Sequence, residues 1–104
     1  MIRIAIMYPN KPGIEFDSNY YRAFHLELVR EKYTPFGLKG IELDEAKALN
    51  GPHKAPYLAI GYLTFESTKE FMNAIEESGE EIMNDVENFT NAKPILQVSK
   101  FSTL

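Results

Sequence analysis

The fold is decided by Tyr57–Phe65, which reads YLAIGYLTF and is the most continuous apolar run in the 104-residue chain. Its first set of alternate residues is Tyr57, Ala59, Gly61, Leu63 and Phe65, and its second set is Leu58, Ile60, Tyr62 and Thr64. Both sets are largely apolar, which is typical of a strand covered on both faces. We therefore expect this segment to be the central strand of a sheet.

Three further segments are typical of strands. Residues 2–8 are rich in β-branched and aromatic side chains and stop at the turn formers of residues 9–13. Residues 38–44 alternate in character, and their charges suit an edge strand that must not pair with other chains. Residues 94–101 form the last predicted strand.

The first helix is predicted between the first two strands. Asp17 or Ser18 can cap it, and it should run to about Lys32. Its apolar face is formed by residues spaced three and four apart, namely Tyr21, Phe24, His25 and Leu28.

The second helix is predicted after the central strand. Ser67 and Glu70 have the spacing of a capping box, and Phe71 and Ile75 should be buried. Ser78 and Glu81 repeat the capping-box spacing, and Gly79 lies between them as a possible helix break. The sequence therefore fits either one long helix or two short ones. In the second case, the later helix would bury Ile82, Met83 and Val86.

The order of elements is strand, helix, strand, strand, helix, strand. Right-handed crossovers then place both helices on one face of a four-stranded antiparallel sheet, an α+β, ferredoxin-like βαββαβ fold in a single domain of residues 1–104. Since two helices cover only one face, we expect a homodimer in which the other faces meet. The alternative is that long side chains such as Arg3 and Lys39 shield the second face.

Composition argues against several classes of function. A net charge of −4 without a basic block is unfavourable for nucleic acid or an anionic membrane surface. The chain has no cysteine, no apolar stretch approaching about 18 residues, and an N-terminal apolar segment too short for a signal peptide. We expect a cytoplasmic protein. Because glycine-rich phosphate loops and common metal or hydrolase motifs are missing, we expect no cofactor and no metal.

His25 is the strongest candidate for catalysis, because imidazole exchanges protons near neutral pH. Tyr21 lies one helical turn earlier and could hydrogen-bond it. The alternative is a core histidine satisfied by a carbonyl or a tyrosine.

Other polar residues have weaker claims to function. Four tyrosines could form an aromatic pocket for substrate between helices and sheet: Tyr8, Tyr20, Tyr57 and Tyr62. The alternative is that these residues are simply part of the core. We interpret Asp17 as a helix cap rather than a catalytic carboxylate, and His53 as a solvated loop residue. The carboxylates Glu76, Glu77, Glu80 and Glu81 are interpreted as a solvated helix face that a cation could visit weakly.

Several of these segments together resemble the EthD family of small dimeric α+β barrel proteins. The matching motifs are Tyr8-Pro9-Asn10-Lys11-Pro12-Gly13, Phe16-Asp17-x-x-Tyr20-Tyr21 followed by His25 and Leu28-Val29, Pro56-Tyr57-x-Ala59-Ile60-Gly61 with Phe65, and Asn88-Phe89-Thr90 before Pro94-Ile95-x-Gln97. The resemblance covers nearly the whole chain. It implies a ferredoxin-like fold, a homodimer and a cleft between helices and sheet, with the family's helix-one histidine at His25 and its preceding aspartate at Asp17.

The resemblance implies a function connected with oxidative or degradative metabolism of a small apolar molecule, since the family is named for ethyl tert-butyl ether degradation. If the protein is an enzyme, we expect a cofactor-independent oxidoreductase, or an isomerase or lyase, with His25 as acid and base. The alternative is a non-catalytic homodimer that binds or carries a small ligand. Haem binding through His25 is a third, minor hypothesis.

Overall fold

A computed structural model describes residues 1–47 and 54–104. Its four strands are β1 (Ile2–Pro9), β2 (Gly40–Glu45), β3 (Tyr57–Phe65) and β4 (Ile95–Lys100). They form one antiparallel sheet in the order β2-β3-β1-β4. The predicted α+β, ferredoxin-like βαββαβ fold is confirmed, with β3 inside the sheet and β2 at its edge.

The register of β1 and β3 decides which side chains face the helices. Cross-strand partners point to the same face of a sheet. Ile4 pairs with Leu63, and Tyr8 pairs with Ala59. All four of these residues are buried. This inner face of the sheet carries the core and, as described below, the floor of a cavity.

Helix α1 spans residues 18–33 and contains a π-helical segment. It consists of an α-helical turn Ser18–Tyr20, the π-helical Tyr21–His25 and the α-helical Leu26–Tyr33, and a 3-10 turn, Thr34–Phe36, follows it. The Leu26 N–H donates to the Tyr21 carbonyl, five residues earlier, which is the π-helical pattern. The predicted cap is confirmed, because the Asp17 Oδ1 accepts a hydrogen bond from the Tyr20 N–H at 3.0 Å.

The π segment changes which residues of α1 are buried. A π-helical turn holds more residues than an α-helical turn, so the segment Tyr21–His25 rotates the buried face of α1, whose buried residues are Tyr21, His25, Val29 and Tyr33. Phe24 was expected on this face, but it is 63% exposed. The prediction for Phe24 is therefore wrong.

Helix α2 runs without a break over Thr68–Asp85, so the single long helix is the correct alternative. Gly79 is buried, and an added Cβ would lie 3.1 Å from the Ile75 Cγ2 and 3.9 Å from the Tyr33 Oη. The glycine therefore does not end the helix, and the close neighbour of an added Cβ is Ile75 of the same helix, whereas Tyr33 of α1 is at an ordinary contact distance. Ile75 and Met83, both expected to be buried, are 36% and 55% exposed.

The capping box at the start of α2 is formed only in part. The Ser67 Oγ accepts a hydrogen bond from the Glu70 N–H at 3.3 Å, as predicted. The Glu70 carboxylate, however, accepts from the N–H of Glu66 at 3.0 Å rather than from that of Ser67. A 3-10 turn, Val86–Asn88, follows α2.

The inner face and the two helices enclose two groups of buried residues. The first group packs both helices on the middle of the sheet: Ile4, Val29, Tyr33, Leu38, Leu63, Phe65, Phe71, Ala74 and Ile82. The second group lies towards the start of α1 and the end of α2: Tyr8, Tyr21, Ala59, Val86, Phe89 and Ala92. The candidate site lies beside this second, more aromatic group.

The outer face of the sheet is only partly covered by its own side chains. The Arg3 guanidinium lies 5.2 Å from the ring centre of Tyr62 and 4.1 Å from that of Phe101. It also pairs with Glu42 at 3.4 Å, whereas Lys39 pairs with Glu66 at 3.7 Å. Arg3 thus shields part of this face, while Ile60 and Met7 beside it stay partly exposed.

None of the helices in the described part of the chain has the length and apolar character that crossing a membrane requires.

Candidate functional site

An apolar cavity of about 390 Å³ lies between the two helices and the inner face of the sheet. Ile6 and Gly61 contribute to its floor, and Val29 and Ile82 are among its helical walls. Ligand cavities in proteins are typically apolar with a few polar groups that orient the ligand. Here the imidazole of His25 is one of those polar groups.

His25 is held in place by Asp85, the last residue of α2. The His25 Nδ1 lies 2.9 Å from the Asp85 Oδ2, and the two side chains are 5% and 14% exposed. The π-helical segment keeps His25 on the buried face of α1, so that it meets the end of α2. The sequence therefore places His25 correctly on the inner side of the helix, but its partner was not foreseen.

Asp85 receives two further hydrogen bonds. The Tyr20 hydroxyl donates to its Oδ1 at 2.6 Å, and the Asn88 Nδ2 donates to the same oxygen at 2.9 Å. Burial raises the pKa of the Asp85 carboxyl, but these bonds and the one from His25 outweigh it, so the pKa lies below its ordinary value. Asp85 is therefore ionised at neutral pH.

The charge state of Asp85 decides the tautomer of His25. An ionised carboxylate only accepts hydrogen bonds, so the His25 Nδ1 must carry the proton. Burial lowers the pKa of the His25 imidazole, and the bond and charge of Asp85 offset this only in part. A neutral ring protonated at Nδ1 keeps a free lone pair on Nε2, which suits a general base.

Aromatic rings surround His25. Its ring is stacked on Tyr21, with centroids 5.7 Å apart and planes at 17°, and lies 4.6 Å from the ring of Phe89. Tyr21 therefore contacts His25 through its ring face, and the hydrogen bond expected between them is absent among the described residues. Asp85 takes the orienting role that the sequence suggested for Tyr21.

The four tyrosines proposed to bind substrate lie in different places. Tyr8 is buried and lines the cavity. Tyr20 supports Asp85 from outside the cavity lining. Tyr62 lies on the outer face and donates to Asp44 at 3.0 Å, and Tyr57 lines a separate shallow depression beside β2. The structure therefore does not bring Tyr57 and Tyr62 to this cavity.

The remaining polar candidates are spread over the surface. His53 lies outside the described residues. Glu80 borders the cavity, whereas Glu81 pairs with Lys32 at 3.3 Å. Within residues 1–47 and 54–104, no three His, Asp or Glu side chains are grouped as a metal site would require.

Asp85 is the functional candidate that the sequence did not reveal. It lies 60 positions from His25, and local spacing does not predict which end of α2 packs on α1. A signal existed in the two residue types, since a buried histidine needs a hydrogen-bond partner and carboxylates are common ones. With several acidic residues in α2, that signal does not single out Asp85.

Comparison with known proteins yields matches among solved structures only. No family model and no curated protein sequence matches the chain. An EthD-like protein from Ralstonia eutropha JMP134 is similar over 95% of this chain and 89% of its own, with 27% identity and a TM-score of 0.85. An ethyl tert-butyl ether degradation (EthD) family protein from Bacillus halodurans C-125 shares the fold over 98% and 99%, with 14% identity and a TM-score of 0.65.

A third neighbour extends the range of functions found on this fold. It is a putative antibiotic biosynthesis monooxygenase from Bordetella bronchiseptica, with 16% identity, 98% and 97% coverage and a TM-score of 0.57. At this identity the likeness shows the fold alone. Together the comparisons confirm the resemblance that the sequence motifs indicate: the chain is similar in structure to EthD-like proteins and has their ferredoxin-like α+β fold.

Proposed function

We propose that this protein binds a small apolar molecule in the cavity between helices and sheet, and that His25 acts on it as acid and base. The observation that carries the proposal is the Nδ1 contact of His25 with Asp85 at 2.9 Å, made by an imidazole that also lines an apolar cavity of about 390 Å³. The pairing of a positioned base with a cavity of ligand size supports a role in chemistry.

The dyad can accept a proton and stabilise the charge that results. When the His25 Nε2 takes a proton from a ligand, the imidazolium remains hydrogen-bonded to the Asp85 carboxylate. A weakly acidic C–H or O–H on an otherwise apolar molecule is a suitable proton donor. The reaction class is proton abstraction or transfer, as in an isomerase, a lyase or a cofactor-independent oxidoreductase, within oxidative or degradative metabolism.

A non-catalytic carrier is the second candidate, and the character of the cavity favours it. Burial strongly raises the pKa of the Tyr8 and Tyr21 hydroxyls, so both remain neutral. With a neutral His25 as well, these three groups suit an uncharged ligand held by burial and shape. Such a protein would release its ligand unchanged.

We also propose that two copies associate through the outer faces of their sheets. Leu58 and Ile60 on β3 and Met7 on β1 leave apolar surface partly exposed there. Burial of such surface stabilises association by about 25 cal/mol per Å² before the cost of immobilising two molecules. A cytoplasmic location stays a prediction.

The proposed chemistry is tested with the ligand that the protein retains on purification, identified by native mass spectrometry. We expect wild type to convert this molecule, and His25→Gln to bind it but convert it about 100-fold more slowly or worse. Glu31→Gln, an exposed substitution on the same helix, is the matched control. Unchanged turnover in His25→Gln contradicts the acid-base role, and binding without conversion in wild type favours the carrier.

A further inference from the structure

Gly61, in the middle of β3, lies directly beneath the Tyr21 hydroxyl. A Cβ added at Gly61 would overlap the Tyr21 oxygen, so this position accommodates the phenol only because it has no side chain. Both residues line the cavity. The absence of a side chain at Gly61 therefore allows the Tyr21 hydroxyl oxygen to lie on the cavity floor.

The Tyr21 ring has little freedom to move away from this position. It is 2% exposed and packs against the rings of Tyr8, Phe16 and Phe89 at centroid distances of 5.5, 5.1 and 5.1 Å. The His25 ring is stacked on it as well, at 5.7 Å. A hydroxyl held this firmly is already oriented before a ligand arrives, which lowers the entropic cost of using it.

The Tyr21 hydroxyl belongs to a residue that lines the cavity. It makes no hydrogen bond to a described residue, and burial leaves it protonated. Tyr21 and Gly61 both line the cavity, and the Tyr21 oxygen lies over the Gly61 backbone, so this oxygen is at the cavity floor. An O–H donor aimed into an apolar cavity is matched by a ligand oxygen that accepts.

We propose that the ligand is an apolar molecule bearing a carbonyl oxygen, that the Tyr21 hydroxyl donates a hydrogen bond to this oxygen, and that Gly61 is the positioning residue for that hydroxyl. This inference rests on the proposed function, because it assumes that the cavity is the ligand site. It adds a hydrogen-bond donor, the Tyr21 hydroxyl at the cavity floor, to the proposed base His25. Gly61 acts only through Tyr21.

The test uses two probes that differ in one group, acetophenone and cumene, in which a methyl group replaces the carbonyl oxygen. Their affinities are measured from backbone amide shifts in NMR titrations of wild type, Tyr21→Phe, Gly61→Ala and the double variant. We expect the ratio of acetophenone to cumene affinity to fall about fivefold in each single variant, the usual size of one hydrogen bond. The double variant should show no further fall, since both changes remove the same interaction.

Gly40→Ala is the matched control, because an added Cβ at this β2 position meets nothing within 4 Å. It should leave the affinity ratio at the wild-type value. An unchanged ratio in Tyr21→Phe overturns the inference, and this variant decides the question even if Gly61→Ala does not fold. If wild type binds neither probe, the proposed function and this inference both fail, whereas cumene binding with an unchanged ratio overturns the inference alone.

Discussion

The Nδ1 of His25 lies 2.9 Å from the Oδ2 of Asp85, and this contact joins the π-helical segment of α1 to the last residue of α2. The rings of Tyr21 and Phe89 surround the imidazole, so the pair is largely sheltered from water. In such surroundings a charge on either partner has a strong effect on the other. The protonation of His25 therefore reports directly on the geometry of the site.

Replacing Asp85 with Asn should lower the pKa of His25 further. The hydrogen bond and the negative charge of Asp85 both favour the imidazolium, while burial opposes it. The substitution removes the negative charge, so less of the effect of burial on the His25 pKa is offset. The pKa is measured by NMR titration of the imidazole protons. His53 is the other histidine of the chain, so a His53→Gln variant identifies its signal. A higher His25 pKa in Asp85→Asn would contradict the assigned pairing.

The low pKa of His25 should make the free energy of unfolding depend on pH. In the unfolded chain a histidine titrates at about 6.5, above its value in the folded protein. Between these two values the unfolded state binds more protons, so stability is complete above about pH 6.5 and is lost as the pH falls towards the folded pKa. One proton accounts for a slope of at most about 1.4 kcal/mol per pH unit.

Urea unfolding of wild type and His25→Gln at several pH values between 5 and 7 checks this prediction. We expect the variant to lose most of the slope in this range, because carboxylates titrate mainly below it. Equal slopes in the two proteins would show that His25 is not the group responsible.

Removing the Tyr20 hydroxyl should raise the pKa of Asp85. The hydroxyl donates to the Asp85 Oδ1 at 2.6 Å and stabilises the ionised form, so Tyr20→Phe leaves the carboxylate with fewer donors. Carbon-13 NMR of the aspartate carboxyl groups measures the change. Tyr57→Phe is the control, because Tyr57 lines a separate depression away from Asp85. It should leave the pKa of Asp85 unchanged. An unshifted Asp85 in Tyr20→Phe would remove Tyr20 from the network.

The parts of the fold that follow from local patterns are those that the sequence predicts well. The strand Tyr57–Phe65 has its predicted bounds, because alternating side chains and flanking turn residues are local features. Phe24 and Asp85 show where this reasoning stops. The exposure of Phe24 depends on a π turn, and the role of Asp85 depends on how two distant segments pack, and neither is encoded in nearest-neighbour spacing.

Gly79 is a third such case, because the repeated capping spacing around it does not decide between one helix and two, and it leads to a prediction of its own. Glycine normally destabilises a helix interior by about 0.5–1 kcal/mol relative to alanine. The added Cβ of Gly79→Ala would be tight against the Ile75 Cγ2 at 3.1 Å, but Ile75 is 36% exposed and its side chain can turn away. We expect a net gain in the free energy of unfolding of about 0.5 kcal/mol, measured by urea unfolding. A loss would mean that Ile75 cannot move.

The proposed dimer predicts that a charge on an inner strand of the outer face separates the two copies. Ile60 pairs with Met7 of β1 and Asp44 of β2, so it lies on an inner strand of this face, flanked by strands on both sides. Lysine at this position would bury a charge in the interface unless the copies stay apart, and an unpaired buried charge costs several kcal/mol. We expect wild type to sediment as a dimer in analytical ultracentrifugation and Ile60→Lys to sediment as a monomer.

Met72→Lys is the control for the dimer, because it adds the same charge at an exposed position of α2, on the other side of the sheet. It should leave the mass in solution unchanged. Circular dichroism must show that Ile60→Lys is folded, so that loss of the dimer is not loss of structure. A monomeric wild type would mean that Arg3, lying over Tyr62 and Phe101, is sufficient to cover the outer face in water.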